Sequence, residues 1–316
     1  MSGNTVERIA GALLYEGYML YPYRPSSVKN RQRFNFGVIY PGVYSRLQTS
    51  VEPSAMRTQC LVLGNDATVL EVRARFLHLA VRTTGIEPPW QEAIEREVPL
   101  ASDPLADLTL SPRRTRFTFP AAELVVGAVR RRQSRLDGEA EVAVRAVAHG
   151  AFIVSVRIEN VSAWAPAAAT AGVRDDVLPH CLVSAHVILR VRGGEFVSLL
   201  EPPDALRSLA GECRNDGVWP VLVGEEGVRD TMLASPIIVY DYPRIAPESA
   251  GDLFDATEID EILSLRILTL TDEEKEEVRR SDERARQLLD RTESLSPEDM
   301  MKLHGLMRPV GPAETS

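Results

Sequence analysis

The sequence predicts a mainly β protein of the α+β class, an antiparallel β-sandwich or open barrel with C-terminal helices. Three observations predict it. From residue 58 to 240 apolar side chains recur with a period of two, the spacing that lines one face of a strand. At least seven such segments are separated by polar or glycine-containing turns, without the regular intervening helices of a doubly wound parallel sheet. After residue 251 the apolar spacing becomes helical. The chain is therefore divided into an N-terminal helix with a Tyr/Pro arm (1–25), an antiparallel β domain (26–250) and an acidic helical appendage (251–316).

Val6, Ile9, Ala10, Leu13 and Leu20 recur at helical spacing, so residues 6–20 are expected to form a short helix. Pro22 and Pro25 stop it, because the residue before a proline is pushed out of the helical region. Residues 33–40 read as a strand closed by a Pro41-Gly42 turn. In 68–82, Leu70, Val72, Ala74 and Phe76 alternate with Glu71, Arg73 and Arg75, which is a half-buried antiparallel strand. A short helix is expected around 90–97. Arg113, Arg114 and Arg116 precede a Phe117–Phe119 strand, and Arg130, Arg131, Arg132 and Arg135 beyond it read as an arginine-rich loop. The clearest hairpin is 139–159, turning at His149-Gly150, where glycine accepts the positive φ of a tight turn. Cys181 to Val191 alternate as another strand, ended by Gly193-Gly194 and followed by a strand over 195–200. Residues 218–223 and 236–240 add two apolar runs.

In the last part, Asp255 with Glu258, and Thr257 with Asp260, are helix-start pairs. Thr271-Asp272-Glu273-Glu274 is a capping box opening a helix over about 272–291. Its thin stripe of Val278, Ala285, Leu288 and Leu289 suits a helix lying exposed. Ser296-Pro297 starts a last helix that Gly305 ends.

The net charge of −9 is unevenly placed: residues 251–316 hold 17 acidic and 9 basic side chains, whereas residues 1–46 hold six bases against Glu7 and Glu16. An acidic chain argues against generic nucleic-acid binding, which draws affinity from neutralised phosphates. No apolar run approaches the roughly 20 residues of a membrane-spanning helix. Glu16 interrupts the stretch 9–20 and no cleavage site follows, so a cytoplasmic protein is expected. Cys60, Cys181 and Cys213 are widely spaced and odd in number, as reduced thiols in a reducing compartment would be.

No constellation announces catalysis. GxSxG, HExxH, GxxxxGK and strand-linked GxGxxG patterns are absent from the sequence. His180, Cys181 and His186 are the nearest approach to a metal set. On a strand, however, Cys181 would face away from both histidines, and six residues would part His180 from His186 by about 20 Å. His78 continues the apolar face of Phe76 and reads as a core residue. Asp175-Asp176 and Glu225-Glu226 read as solvated loop acids. The residues thus imply no metal and no cofactor.

The most unusual stretch is 15–44, which contains six of the eight tyrosines. Tyrosine and arginine dominate protein-interface hot spots, because they join large contact area to directed hydrogen bonds. Tyr18, Tyr21, Tyr23, Arg24, Lys29, Asn30, Arg31 and Arg33 are the candidate partner-binding residues, with Tyr240, Asp241 and Tyr242 as a second cluster. The same arm could instead wrap its own β core.

Several of these segments also carry a resemblance. Leu14-Tyr15-Glu16-Gly17-Tyr18, Leu20-Tyr21-Pro22-Tyr23-Arg24-Pro25 and Lys29-Asn30-Arg31-Gln32-Arg33-Phe34 are three of them. Trp219-Pro220-Val221-Leu222, Ser235-Pro236-Ile237-Ile238, Tyr240-Asp241-Tyr242-Pro243 and Thr257 to Leu270, leading into Asp272-Glu273-Glu274-Lys275, complete the set. Together they resemble a bacterial protein family of uncharacterised function associated with gene clusters for uptake nickel–iron (NiFe) hydrogenases, over about residues 6–308. The resemblance implies a non-enzymatic accessory or assembly role, contacting a hydrogenase subunit or maturation factor, and supplies no catalytic residue to carry over. Two other readings stand beside it. One is an enzyme with a cleft near Tyr240–Pro243, which would gather His78, His186 or His149 with carboxylates. The other is a ligand-binding sandwich, which would line one concave face with Trp90, Trp164 and Trp219.

Overall fold

Among the described residues, twelve strands pair antiparallel into two sheets that face each other and do not close into a barrel. The computed structural model describes residues 2–15, 36–48, 52–84, 89–165, 174–244 and 270–281, with residues 286, 289, 290, 293 and 294. The chain divides into two units: residues 1–18 with 32–243, and residues 19–31 with 244–316.

In the first unit one sheet contains β1 (Ala55–Leu63), β4 (Arg113–Phe119), β7 (Leu136–Ala148), β8 (Ala151–Asn160) and β10 (Glu195–Val197), in the order β10-β1-β8-β7-β4. The other contains β2 (Val69–Thr83), β3 (Trp90–Pro104), β5 (Ala122–Val126), β6 (Val129–Gln133), β9 (Val183–Arg192), β11 (Trp219–Leu222) and β12 (Thr231–Ser235). Its order is β11-β12-β9-β2-β6-β5, with β3 on the far edge of β2. The long β2 pairs with β9 along Val69–Leu77 and with β6 along Ala80–Thr83, so β6 follows β9 along the same edge.

The period of two explains the core. Leu70, Val72, Ala74 and Phe76 of β2 meet Val142, Val144, Val154 and Val156 of the opposite sheet in one buried cluster. Phe117 and Phe119 pack against it from β4. Gly138 on β7 leaves room for the Phe117 ring, which a Cβ there would meet. The predicted hairpin is β7–β8, and Gly150 at its turn has φ +71°.

Helix α1 (Ser2–Leu14) covers the outer face of the seven-stranded sheet over β2 and β9. Val6, Ile9, Ala10, Leu13 and Leu14 are buried, at the three- and four-residue spacing that makes one helical stripe. Beyond that stripe, Glu7 pairs with Arg73 and Arg75. A bulge at Ser184, with φ +52°, shifts the β2–β9 register, and the Ser184 and Ala185 N–H groups donate to the Phe36 and Gly37 carbonyls instead.

Four local expectations need correction. Residues 90–97 form the start of β3 rather than a helix: Gln, Glu and Ala favour a helix locally, but β3 pairs with β2 from Trp90 to Pro104 and tertiary pairing wins. Pro41-Gly42 opens α2 (Gly42–Leu47) rather than closing a strand, and the described part of 33–40 offers only an isolated bridge from Ile39 to Leu182. The apolar run 236–240 is not a strand, and β12 lies just before it. Arg130, Arg131 and Arg132 lie in β6, not in a loop.

In the second unit α3 (Asp272–Ser281) realises the predicted helix start, and the Lys275 N–H donates to the Thr271 carbonyl at 2.9 Å. Lys275 and Arg279 both pair with Glu293. The helices expected at 255–263 and 296–305 lie outside the described residues. No helix among the described residues is long and apolar enough to cross a membrane.

Candidate functional site

The hairpin β5–β6 stands out from the sandwich as a tongue. Its two-residue turn, Gly127-Ala128, places glycine first with φ +61°, the requirement of a tight II′ hairpin turn. Opposed residues of an antiparallel pair share a face. The register therefore carries Ala122 through Gln133 to Ala80, and sets Leu124 and Val126 on the face that carries Phe76 and His78 inside the sandwich. Here that face has lost its cover. All five residues of β5 are exposed, with Leu124 57%, Val125 56% and Val126 59% accessible. β5 is also the outermost strand on this side of its sheet, so one backbone edge has no strand partner among the described residues.

Charge is ordered along the tongue. Arg130 pairs with Glu123 at 2.6 Å, Arg131 with Glu92 at 2.6 Å, and Arg135 with Asp137 at 2.8 Å. On the neighbouring strand β4, Arg113, Arg114 and Arg116 pair with Asp103, Glu141 and Glu139. The arginine clusters read as loop charges in the sequence are thus mostly cross-strand ion pairs.

At the root of the tongue the interior turns polar. The Arg96 guanidinium lies over the Phe119 ring at 4.7 Å and donates to Gln133 Oε1 at 2.6 Å. Gln133 in turn donates to the Pro120 carbonyl. His78 is fully buried. The Pro179 and Ser134 carbonyls lie near enough to favour a proton on the ring, but neither reaches hydrogen-bonding geometry. Burial first, and then the Arg96 charge, hold the His78 pKa down at about 4. His180, half-buried in the turn Leu178–His180, is depressed by burial and by Arg132, against the pull of a nearby Arg135 carbonyl that falls short of hydrogen-bonding geometry.

Asn160 fixes that turn. Its amide donates to the Ile39 carbonyl at 2.9 Å and the His180 carbonyl at 2.8 Å, and its Oδ1 accepts the Ser162 N–H. Asn160→Ala should cost about 2–3 kcal/mol of unfolding free energy in urea titration, because buried carbonyls lose their donor. A loss below about 0.5 kcal/mol would mean that the amide is not the tie.

Of the predicted partner-binding residues, Tyr18, Tyr21, Tyr23, Arg24, Lys29, Asn30, Arg31 and Arg33 lie outside the described residues. Tyr240 is 86% exposed. Asp241 is a clamp: its carboxylate accepts the Ser198 hydroxyl and the Leu222 N–H. Tyr242, at φ +54°, donates its N–H to the Leu222 carbonyl and packs its ring on the core. Tyr40 and Tyr44, farther along the tyrosine-rich stretch, are buried and stacked 5.0 Å apart, with Trp164 edge-on to Tyr44. Burial pushes Tyr40 up to about 12, so this end of the stretch belongs to the core.

The histidines do not converge. His186 faces Arg75 on the outer side of the second sheet, His149 sits in the β7–β8 turn, and only His78 and His180 adjoin. Among the described residues no group of three potential metal ligands occurs. Trp90, Trp164 and Trp219 lie on β3, in the 161–165 stretch and on β11. All three cysteines are free, and burial raises each thiol above its ordinary range. No protein-family model matches the chain, and no curated protein matches it either.

Proposed function

We propose that this chain is a non-enzymatic accessory protein that binds another protein through the β5–β6 tongue. The partner adds an extended segment to the free edge of β5 and packs apolar side chains on Leu124 and Val126. The observation that supports this reading is an apolar edge strand whose five residues are all exposed. Natural sheets blunt such edges with lysines, prolines or bulges, because an open edge pairs with any available strand. Among its five residues β5 has only Glu123 as a charge, and that carboxylate is engaged by Arg130. Strand addition uses such an edge productively, with backbone hydrogen bonds for affinity and alternate side chains for specificity.

The resemblance in sequence supplies the partner class we propose, a NiFe-hydrogenase subunit or maturation factor. Exposed Tyr240 and the arm residues of 18–33 belong to the same proposal as accessory contacts. A cytoplasmic setting is part of it too, supported by three free cysteines. Pairing of Arg130 and Arg131 with carboxylates favours a protein partner over nucleic acid.

Leu124→Asp combined with Val126→Asp tests the reading. Both side chains are exposed, so stability should stay within about 0.5 kcal/mol of wild type. Co-purification of hydrogenase components from the native host should fall about ten-fold or more, as a lost interface anchor predicts. Undiminished recovery by the variant would reject the tongue as the docking element. Absence of any hydrogenase component with the wild-type chain would reject the partner class.

A further inference from the structure

We propose that the cleft at the root of the tongue binds an oxyanion, a carboxylate or phosphate group seated between Arg132 and His180 with the Arg96 charge behind it. The cleft, about 460 Å³, is lined by Glu123, Arg132, Gln133, Ser134, Arg135 and His180 among others.

Charge decides the sign of its ligand. Glu123 is taken up by Arg130, and Arg135 by a two-point contact with Asp137. Arg132 has no carboxylate partner among the described residues. Nor has Arg96, which contacts a neutral amide and an aromatic ring and leaves its buried Nε without an acceptor. His180 Nδ1 is likewise buried and unpaired, and behind it both ring nitrogens of fully buried His78 are unpaired. Arg132, which is exposed, and His180 thus line one opening, with fully buried His78 and the Arg96 charge behind His180. Buried donors without acceptors are costly, and native proteins rarely keep several together without a use. An oxyanion seated on Arg132 supplies an acceptor to His180 Nδ1. The flat guanidinium fork of Arg132 matches two oxygens of a carboxylate or phosphate, a geometry that lysine lacks.

Anion binding here is independent of protein docking on the tongue, since Leu124 and Val126 do not line the cleft. Titration of the full chain with inorganic phosphate, and separately with citrate, at constant ionic strength set with chloride, tests it by calorimetry and by the His180 ring resonances. We expect saturable binding of at least one anion. Arg132→Gln should weaken it about ten-fold or more and His180→Gln several-fold, the scale of a charge-assisted hydrogen bond. Arg207→Gln, a distant exposed arginine paired with Asp204, should leave it unchanged. Binding of phosphate alone would assign the site to phosphoryl groups, and of citrate alone to carboxylates. Arg132→Lys should keep the charge and recover only part of the affinity, which separates loss of the fork from loss of folding. Binding no different from chloride, or equal binding by wild type and Arg132→Gln, would overturn the proposal.

Discussion

Phe76→Ala should lower the unfolding free energy by about 3–5 kcal/mol, the range for truncating a fully buried phenylalanine. The ring lies in the inner face of β2, where it meets Phe117 at 6.0 Å and, edge-on, Phe119 at 5.8 Å. Both partners belong to β4, the edge strand of the opposite sheet, so this trio is a direct tie between the two layers. Removing the ring forfeits its transfer free energy, leaves a cavity that strands cannot easily collapse into, and breaks two aromatic contacts of about 0.5–1.5 kcal/mol each. Phe76→Leu should recover more than half of the loss. Urea titration at neutral pH measures both. A change below about 1 kcal/mol for Phe76→Ala would show that the sheets do not pack there.

Acidification should destabilise the protein through His78 and His186. Burial, the larger cause for each, and neighbouring cations depress both from 6.5 to about 4 in the folded chain. His186 Nδ1 meets the Ser184 carbonyl, a contact that opposes the shift, while Arg75 adds to it. Between pH 6.5 and 4 the unfolded chain binds the extra protons, so stability rises with pH in that window. It is therefore lost as pH falls from 6.5 towards 4, and these two groups add no further loss below that. At pH 4.5 each should cost about 2–3 kcal/mol relative to pH 7. Carboxylates titrate in the same range, so the decisive quantity is a difference between proteins. His78→Leu, which fills an apolar face with an apolar side chain, should remove about half of the histidine-linked loss. If His78→Leu and wild type lose stability in parallel between pH 7 and 4.5, His78 is not held neutral in the fold.

The fold was largely legible because alternation is a local property. Leu70, Val72, Ala74 and Phe76 must lie on one face of any strand they form, and burying that face requires a second layer. The His149-Gly150 turn was legible for the same reason. Residues 90–97 misled because helix propensity competes with a pairing partner, β2, that no local window contains. The candidate site was harder to read. Val126-Gly127-Ala128-Val129 is a hairpin signal that the adjacent arginines obscured, and nothing in it foretells that β5 would be left at an edge. The acceptor-poor root was out of reach, since Arg96, Gln133 and His180 come together only when three separated segments meet.

Periods of a few residues are enough to specify the alternating antiparallel strands, the main hairpin and the change to helical spacing after residue 251. That the strands form two open sheets, which edge stays open, which arginines find carboxylates and which are left over depend on the folded chain. Those outcomes are set by contacts such as Arg131 with Glu92 and Asn160 with Ile39, made between residues far apart in the chain. Their energies depend on distance and burial in the folded chain rather than on sequence spacing.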